Sequence, residues 1–208
     1  MKKRKPTVSV VDDDKALCEG LRWLLESEGL NVQTHTSAEA FLDAYDPDCP
    51  GCLVLDVRMG GMSGLELQAK LAEQGLSAPV IILTGHADVP MAVQATKAGA
   101  VEFLQKPVDD QVLLDCIQRA IELDAQVRER QAADAGFAAR IELLTPRQRE
   151  VLDLVVAGKA NKQIAAGFGV SPRTVEVHRK RIMRKLRVKS SVDLVRNVMA
   201  LRAPQPRV

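Results

Sequence analysis

Five short apolar runs recur at intervals of roughly two dozen residues through the first half of the chain. They are "TVSVV" (7–11), "NVQTH" (31–35), "CLVLD" (52–56), "PVIIL" (79–83) and "VEFL" (101–104). Stretches with helical spacing separate them, such as Leu17, Leu21, Leu24 and Leu25, or Leu65, Leu67 and Leu71. Ser37 before "AEAFL" serves as a helix N-cap, and Pro90 sits in the first turn of a helix beginning after Asp88, where a missing N–H costs nothing. Runs one, three and four are apolar throughout, as strands covered by helices on both faces must be. The predicted class is α/β, with a five-stranded, doubly wound parallel sheet.

The polar residues that end these runs carry the chemistry. Asp12 and Asp13 follow the first strand, Asp56 ends the third, Thr84 ends the fourth and Lys106 follows the fifth. In an open parallel sheet, ligands bind beyond the carboxyl ends of the strands, where the winding reverses. One aspartate after a strand is usually a turn residue; five polar groups converging on one crevice are a site. Unit charges 4 Å apart repel by about 4 kcal/mol at an effective dielectric near 20, so three carboxylates together call for a cation. Oxygen ligands suit a hard ion, and Mg²⁺ takes one or two carboxylates with waters and a phosphate oxygen. With lysine and threonine donors around it, the Asp56 carboxylate can act as a nucleophile on phosphorus. Asp14 fits a helix cap better than a ligand role.

The order of these residues is specific. The run "VVDDD", the stretch "LVLDVRMGGMSGLEL" and the segment "ILTGHADVPMAVQATKAGAVEFLQKP" resemble the receiver domain of two-component response regulators, and the last of these is similar to the FixJ-like subgroup. The resemblance covers residues 6–125 and implies a flavodoxin-like sheet. It implies phosphorylation of Asp56 by a sensor histidine kinase. It also implies Mg²⁺ on Asp13, Asp56 and the main-chain carbonyl of Arg58, with Asp12 acting through water. Thr84 and Lys106 would hold the phosphoryl group, and Phe103 would be the aromatic that changes rotamer. A phosphorylation-dependent homodimer would use Val93, Lys97 and Glu102. Two positions depart from the pattern: Gly60 stands where proline is frequent, and Phe103 lacks a tyrosine hydroxyl.

"CPGC" (49–52) lacks a second CxxC or a nearby His pair, and Cys52 opens a strand rather than a helix. It reads as a turn with two ordinary thiols rather than a zinc or redox centre. His35 reads as a strand-end residue. Beyond the receiver (1–125), residues 126–141 are rich in Ala and charge and read as a helical linker with a break at Gly136.

Residues 142–208 form a second domain. Residues 1–139 hold 13 Lys+Arg against 22 Asp+Glu, a net −9, whereas 140–208 hold 16 against 5, a net +11. The basic half points to a polyanion. Thr145, Pro146 and Gln148 give a cap, a first-turn proline and a capping box. Gly158 ends that helix, Asn161 caps the next, Gly169 ends it, and Ser171-Pro172 opens a third that runs to about Leu186. Ser190 or Ser191 opens a fourth. Two helices joined by "GVSP" match a helix-turn-helix. At 100° per residue, Val175, Ile182 and Leu186 share a narrow arc, while Val177, Lys180, Arg181 and Arg184 lie opposite. Cations around one valine suit a major groove.

"LTPRQREVLDLVVAGKANKQIA" and "VSPRTVEVHRKRIMRKL" resemble the LuxR-type helix-turn-helix domain. That resemblance implies Glu176, Val177 and Lys180 near base edges, phosphate contacts from Lys162, Arg173 and Thr174, and a dimer face on the last helix. Glu176 would accept from cytosine N4 or repel the wrong register. The whole then reads as a DNA-binding transcriptional regulator rather than an enzyme. Its expected partners are a sensor histidine kinase, double-stranded promoter DNA, RNA polymerase and a second copy of itself.

A Mg²⁺-dependent phosphohydrolase would place a second aspartate two residues after Asp56, where Arg58 stands, and neither a P-loop nor GxGxxG occurs. The apolar runs are too short to cross a bilayer, "MKKRKP" leads to no secretory region and reads as a solvated tail, and four thiols fit a reducing cytoplasm.

Overall fold

The computed structural model describes residues 4–76, 78–86 and 88–203. These fall into two compact units, one ending at Arg128 and the other beginning at Glu129.

In the first unit, strand and helix alternate: β1 (Thr7–Val11), α1 (Lys15–Ser27), β2 (Asn31–His35), α2 (Ala38–Ala44), β3 (Gly51–Leu55), α3 (Gly64–Glu73), β4 (Val80–Thr84), α4 (Val89–Lys97), β5 (Ala100–Gln105) and the first part of α5 (Asp110–Glu142), whose residues from Glu129 on belong to the second unit. The five strands are parallel, in the order β2-β1-β3-β4-β5. Side chains alternate across each strand, and the two faces build two cores. Val8, Val10, Val54, Ile81 and Leu83 pack with Leu21 and Leu25 of α1 and Leu113 and Ile117 of α5. Val11, Leu53, Leu55 and Ile82 pack with Phe41 of α2, Leu67 and Leu71 of α3, and Ala95 of α4. Every residue of β3 and β4 is buried, the pattern of strands covered on both sides. The caps act locally: Asp14 accepts from the Ala16 and Leu17 amides, Ser37 from Ala40, and Asp88 from Met91 just beyond Pro90.

Three strands sit one residue from their expected limits. β3 starts at Gly51 and ends at Leu55, β4 runs Val80–Thr84 rather than 79–83, and β5 gains a residue at each end. The ladder explains two of these shifts. Pro50 and Pro79 enter it only as acceptors, from Thr7 N and Leu53 N, because proline has no amide to donate. Asp56 therefore stands just past β3, while Thr84 closes β4.

The expected break at Gly136 is absent, because α5 is continuous from Asp110 to Glu142. A helical glycine costs only about 1 kcal/mol relative to alanine. The neighbouring alanines favour helix, and Phe137 is anchored in the second core. Of the basic N-terminal run, residues 1–3 lie outside the described residues. Arg4 and Lys5 are exposed, and Arg4 pairs with Asp46 at 2.6 Å.

The "CPGC" turn is fastened from α5. Asp124, 1% exposed, accepts from the Gly51 amide at 2.9 Å and from Arg128 Nε at 2.8 Å. Arg128 also donates Nη1 to the Pro47 carbonyl and Nη2 to the Cys49 carbonyl, each at 2.9 Å. Cys52 packs in the α1–α5 layer, where burial pushes its thiol up to about 12. Cys49 points the other way, its Sγ 3.6 Å from the Thr7 hydroxyl. Two thiols on opposite faces of the sheet form neither a redox pair nor a chelate.

The second unit holds α6 (Pro146–Val156), α7 (Asn161–Phe168), α8 (Pro172–Leu186) and α9 (Ser191–Arg202). Val151, Leu152, Ile164, Val175, Ile182, Leu186, Leu194 and Val198 form its core. Thr145 and Gln148 make the expected reciprocal capping box, and Gly169 closes α7 with φ +65°. Asn161 is not a cap. Ala160 holds that position, its amide met by Gln163 Oε1, and Asn161 instead accepts from Arg179 Nη1 at 2.7 Å. Arg179 Nη2 reaches Ser191 Oγ at 2.9 Å, so one guanidinium ties α8 to both α7 and α9. Among the described helices, none is long and apolar enough to cross a membrane.

Removing the Arg128 guanidinium leaves Asp124 buried with an uncompensated charge. Arg128→Ala is expected to lower unfolding stability by about 3 kcal/mol in urea titration. A change under about 0.5 kcal/mol, typical of a surface site, would contradict the clasp.

Candidate functional site

The winding of the sheet reverses between β1 and β3, which opens a crevice at their carboxyl ends. Hydrogen bonds that continue the ladder fix the residues there. Asp12 N donates to His35 O at 3.1 Å, Asp56 N to Val11 O at 2.9 Å and Lys106 N to Thr84 O at 2.9 Å. Asp12 is 3% exposed, Asp56 8% and Thr84 not at all, so the site is drier than a surface acidic cluster.

Lys106 reaches into it from the end of β5. Its Nζ lies 2.5 Å from Asp12 Oδ2 and 3.2 Å from Asp56 Oδ2. Burial pulls the ammonium's pKa down, but Asp12 and Asp56 outweigh that and leave it above the ordinary lysine value. Burial is also the largest influence on Asp12 and raises its carboxyl above the usual range, against the opposing pull of Lys106. One ammonium thus serves two buried carboxylates, and Asp13 adds a third at the exposed rim. Ligand oxygens of Asp12, Asp13 and Asp56 lie within 4.8 Å of one another.

All three are hard oxygen donors with less than their charge compensated, so they could hold a Mg²⁺ ion. Among the described residues no cysteine or histidine joins a cluster of this kind. Arg58 donates its main-chain N–H to Asp56 Oδ1 at 3.4 Å, and the residue is exposed. Thr84 Oγ1 accepts from the His86 amide at 3.4 Å. Asp14 caps α1 and donates its own amide to Asp12 Oδ1 at 3.0 Å, which holds that carboxylate in place.

Two loop glycines complete the site. Gly60 donates its N–H to Asp13 Oδ2 at 3.2 Å, a bond proline could not make. Gly64 begins α3, and a Cβ there would stand 2.1 Å from the Asp56 carbonyl oxygen. The loop therefore folds back onto Asp56 only with glycine at 64. Sequence reading passed over Gly64. The available signal was a glycine just inside a helix whose Ser63 and Glu66 make a capping box.

Phe103 is half-buried against the α2–α4 layer. Val93 and Lys97 are exposed on α4, and Glu102 on β5 lies 3.5 Å from Arg119.

In the second unit α8 buries Val175, Ile182 and Leu186, half-buries His178, Arg179 and Met183, and exposes its other residues. Arg173, Thr174, Glu176, Val177, Lys180, Arg181 and Arg184 are all exposed, as is Lys162 on α7. Ser171 caps α8 and its hydroxyl lies 2.9 Å from that of Thr174. The resulting surface is a cationic face around one valine at the start of a helix.

A family model described as response regulator receiver domain matches residues 8–118, and one described as bacterial regulatory proteins, luxR family, matches residues 142–198. The chain is 48% identical over 196 residues to transcriptional regulatory protein FixJ of Azorhizobium caulinodans, covering 94% of this chain and 92% of that one. It is 44% identical to nodulation protein W of Bradyrhizobium diazoefficiens, over 92% and 85% of the two chains. Among solved structures, the response regulator StyR is 46% identical with a TM-score of 0.80, over 94% of this chain and 99% of that one. Full-length FixJ from B. japonicum is 41% identical with a TM-score of 0.57, over 96% and 98%. The chain belongs to the FixJ-like response regulators, phosphorylation-dependent transcription regulators that join a receiver domain to a LuxR-type DNA-binding domain.

Proposed function

We propose that Asp56 is the phosphoacceptor, charged by a cognate sensor histidine kinase, and that phosphorylation drives pairing of receivers and binding of promoter DNA by α7 and α8. The observation that carries this reading is Lys106 set between the buried carboxylates of Asp12 and Asp56 at the switch point of the sheet.

An Asp56 carboxylate oxygen attacks phosphorus, and the bond to the donor imidazole breaks. The electron pair leaves with the nitrogen, and an acyl phosphate remains. Lys106 keeps its proton because its two carboxylate neighbours raise its basicity, and it can meet the incoming phosphoryl oxygen as a charge-assisted donor. The buried Thr84 hydroxyl has a proton to offer a second oxygen. Asp12, Asp13 and Asp56, with the Arg58 carbonyl, would hold Mg²⁺, whose charge when bound offsets that of the carboxylates and the phosphoryl oxygens.

Phe103 has only packing to gain from moving inward, since it carries no hydroxyl. Exposed Val93 and Lys97 on α4, with Glu102 on β5, supply a homodimer surface. Two paired α8 helices would read half-sites about 10 bp apart. RNA polymerase is a further partner in this reading, which is that of a cytoplasmic regulator.

Acetyl phosphate with Mg²⁺ is expected to raise the affinity of the full chain for its operator at least about tenfold in fluorescence anisotropy, in the lower part of the range of typical allosteric couplings. Asp56→Asn should show no such gain; an equal gain in that variant would sink the assignment. Lys162, Arg173, Arg181 and Arg184 as phosphate contacts predict a log K against log[salt] slope of about −3 to −4 for each bound chain. Arg181→Ala should flatten it by about 1, whereas a flat slope for the unmodified protein would exclude the basic face as the interface.

A further inference from the structure

Glu176 is the one acidic side chain of α8, a helix that also carries Arg173, Arg179, Lys180, Arg181, Arg184 and Lys185. Its Oε1 lies 2.9 Å from Lys180 Nζ, one turn further on, and both side chains are well exposed. An exposed ion pair at this spacing adds little stability, and a carboxylate turned toward DNA phosphates repels them. Neither helix stability nor general affinity explains its presence on this face. What the pair does is set an acceptor and a cationic donor side by side, next to Val177, on exposed surface of the helix. Lys180, with a smaller contribution from Arg173, holds the Glu176 carboxyl below the usual carboxylate range, so at neutral pH it accepts and does not donate.

The major-groove edge of a G·C pair presents two adjacent acceptors, guanine N7 and O6, and then the cytosine N4 donor. An ammonium has three donors and no acceptor, and a carboxylate is acceptor-only. Lys180 can span N7 and O6 while Glu176 takes the N4 hydrogen, which leaves no polar group of that edge unmet. An A·T pair alternates acceptor, donor, acceptor. There the carboxylate can take the N6 hydrogen, but the ammonium then reaches only one of the flanking acceptors, and the other faces a negative charge.

We propose that Glu176 and Lys180 act as one unit that reads a single G·C pair, with Val177 set against a thymine methyl of a neighbouring pair. This rests on the DNA-binding reading above. It also chooses between the two roles the sequence left open for Glu176: the carboxylate is a specificity element and not only a repulsive one.

The test is selection from a pool of random duplexes by the full chain treated with acetyl phosphate and Mg²⁺, run with the unmodified protein and with Glu176→Gln. The unmodified protein is expected to fix one G·C pair in each half-site. Glutamine pairs bidentately with adenine, so Glu176→Gln should lose roughly tenfold discrimination at that pair and move toward A·T, with the other positions kept. In the selected site, 7-deazaguanine at that pair should weaken the unmodified protein by roughly tenfold, whereas inosine, which keeps the major-groove edge, should be bound within about twofold of guanine. An unchanged G·C preference in Glu176→Gln, or equal losses with inosine and 7-deazaguanine, would overturn the proposal while leaving DNA binding intact. Failure of the folded, unmodified protein to retain any duplex would overturn the DNA-binding reading itself, and this proposal with it.

Discussion

The ammonium of Lys106 between Asp12 and Asp56 is the interaction on which the rest depends. Two carboxylates buried at the end of a sheet are costly unless a cation meets them. Here that cation comes from the loop after β5, so the site exists only when β1, β3, β4 and β5 are in register. The ladder enforces this through Asp56 N on Val11 O and Lys106 N on Thr84 O. The compensation is incomplete, since one positive charge serves two buried acids and Asp13 stands beside them. That shortfall leaves the site electrostatically unfinished until further positive charge arrives.

Much of this was legible in the sequence because the determinants are local. Asp14, Ser37, Thr145 with Gln148, and Ser171 all cap the helices that their side chains announce. The strand-end positions of Asp12, Asp56, Thr84 and Lys106 follow from the hydrophobic runs to within one residue. Failures came where a distant partner decides. Asn161 has a cap's side chain, but Arg179 takes it, eighteen residues on. Gly136 looks like a break until Phe137 is seen in the second core. Gly64 looks like any glycine, yet the Asp56 carbonyl occupies the space its side chain would fill. The Asp124–Arg128 clasp is spaced like a surface helix pair, and only the fold shows that the aspartate is buried beneath the Cys49 loop.

The charge division between the halves has a comparable logic. In the first unit, acidic groups gather at the carboxyl ends of the strands, at the switch point of the sheet. In the second, positive charge covers the exposed side of one helix, and general attraction to a polyanion follows with no sequence preference. Preference requires groups that match base edges, and in the reading proposed above these are Val177, Lys180 and Glu176. In that reading, the single negative side chain of an otherwise cationic helix trades some affinity for discrimination.

The most direct test of the central claim is peptide-level mass spectrometry of the full chain after incubation with acetyl phosphate and Mg²⁺. The account predicts one phosphoryl adduct, on the peptide containing Asp56, and its loss when Lys106 is replaced by alanine in a protein that remains folded by circular dichroism. An adduct on a different residue, or none on folded protein, would contradict it.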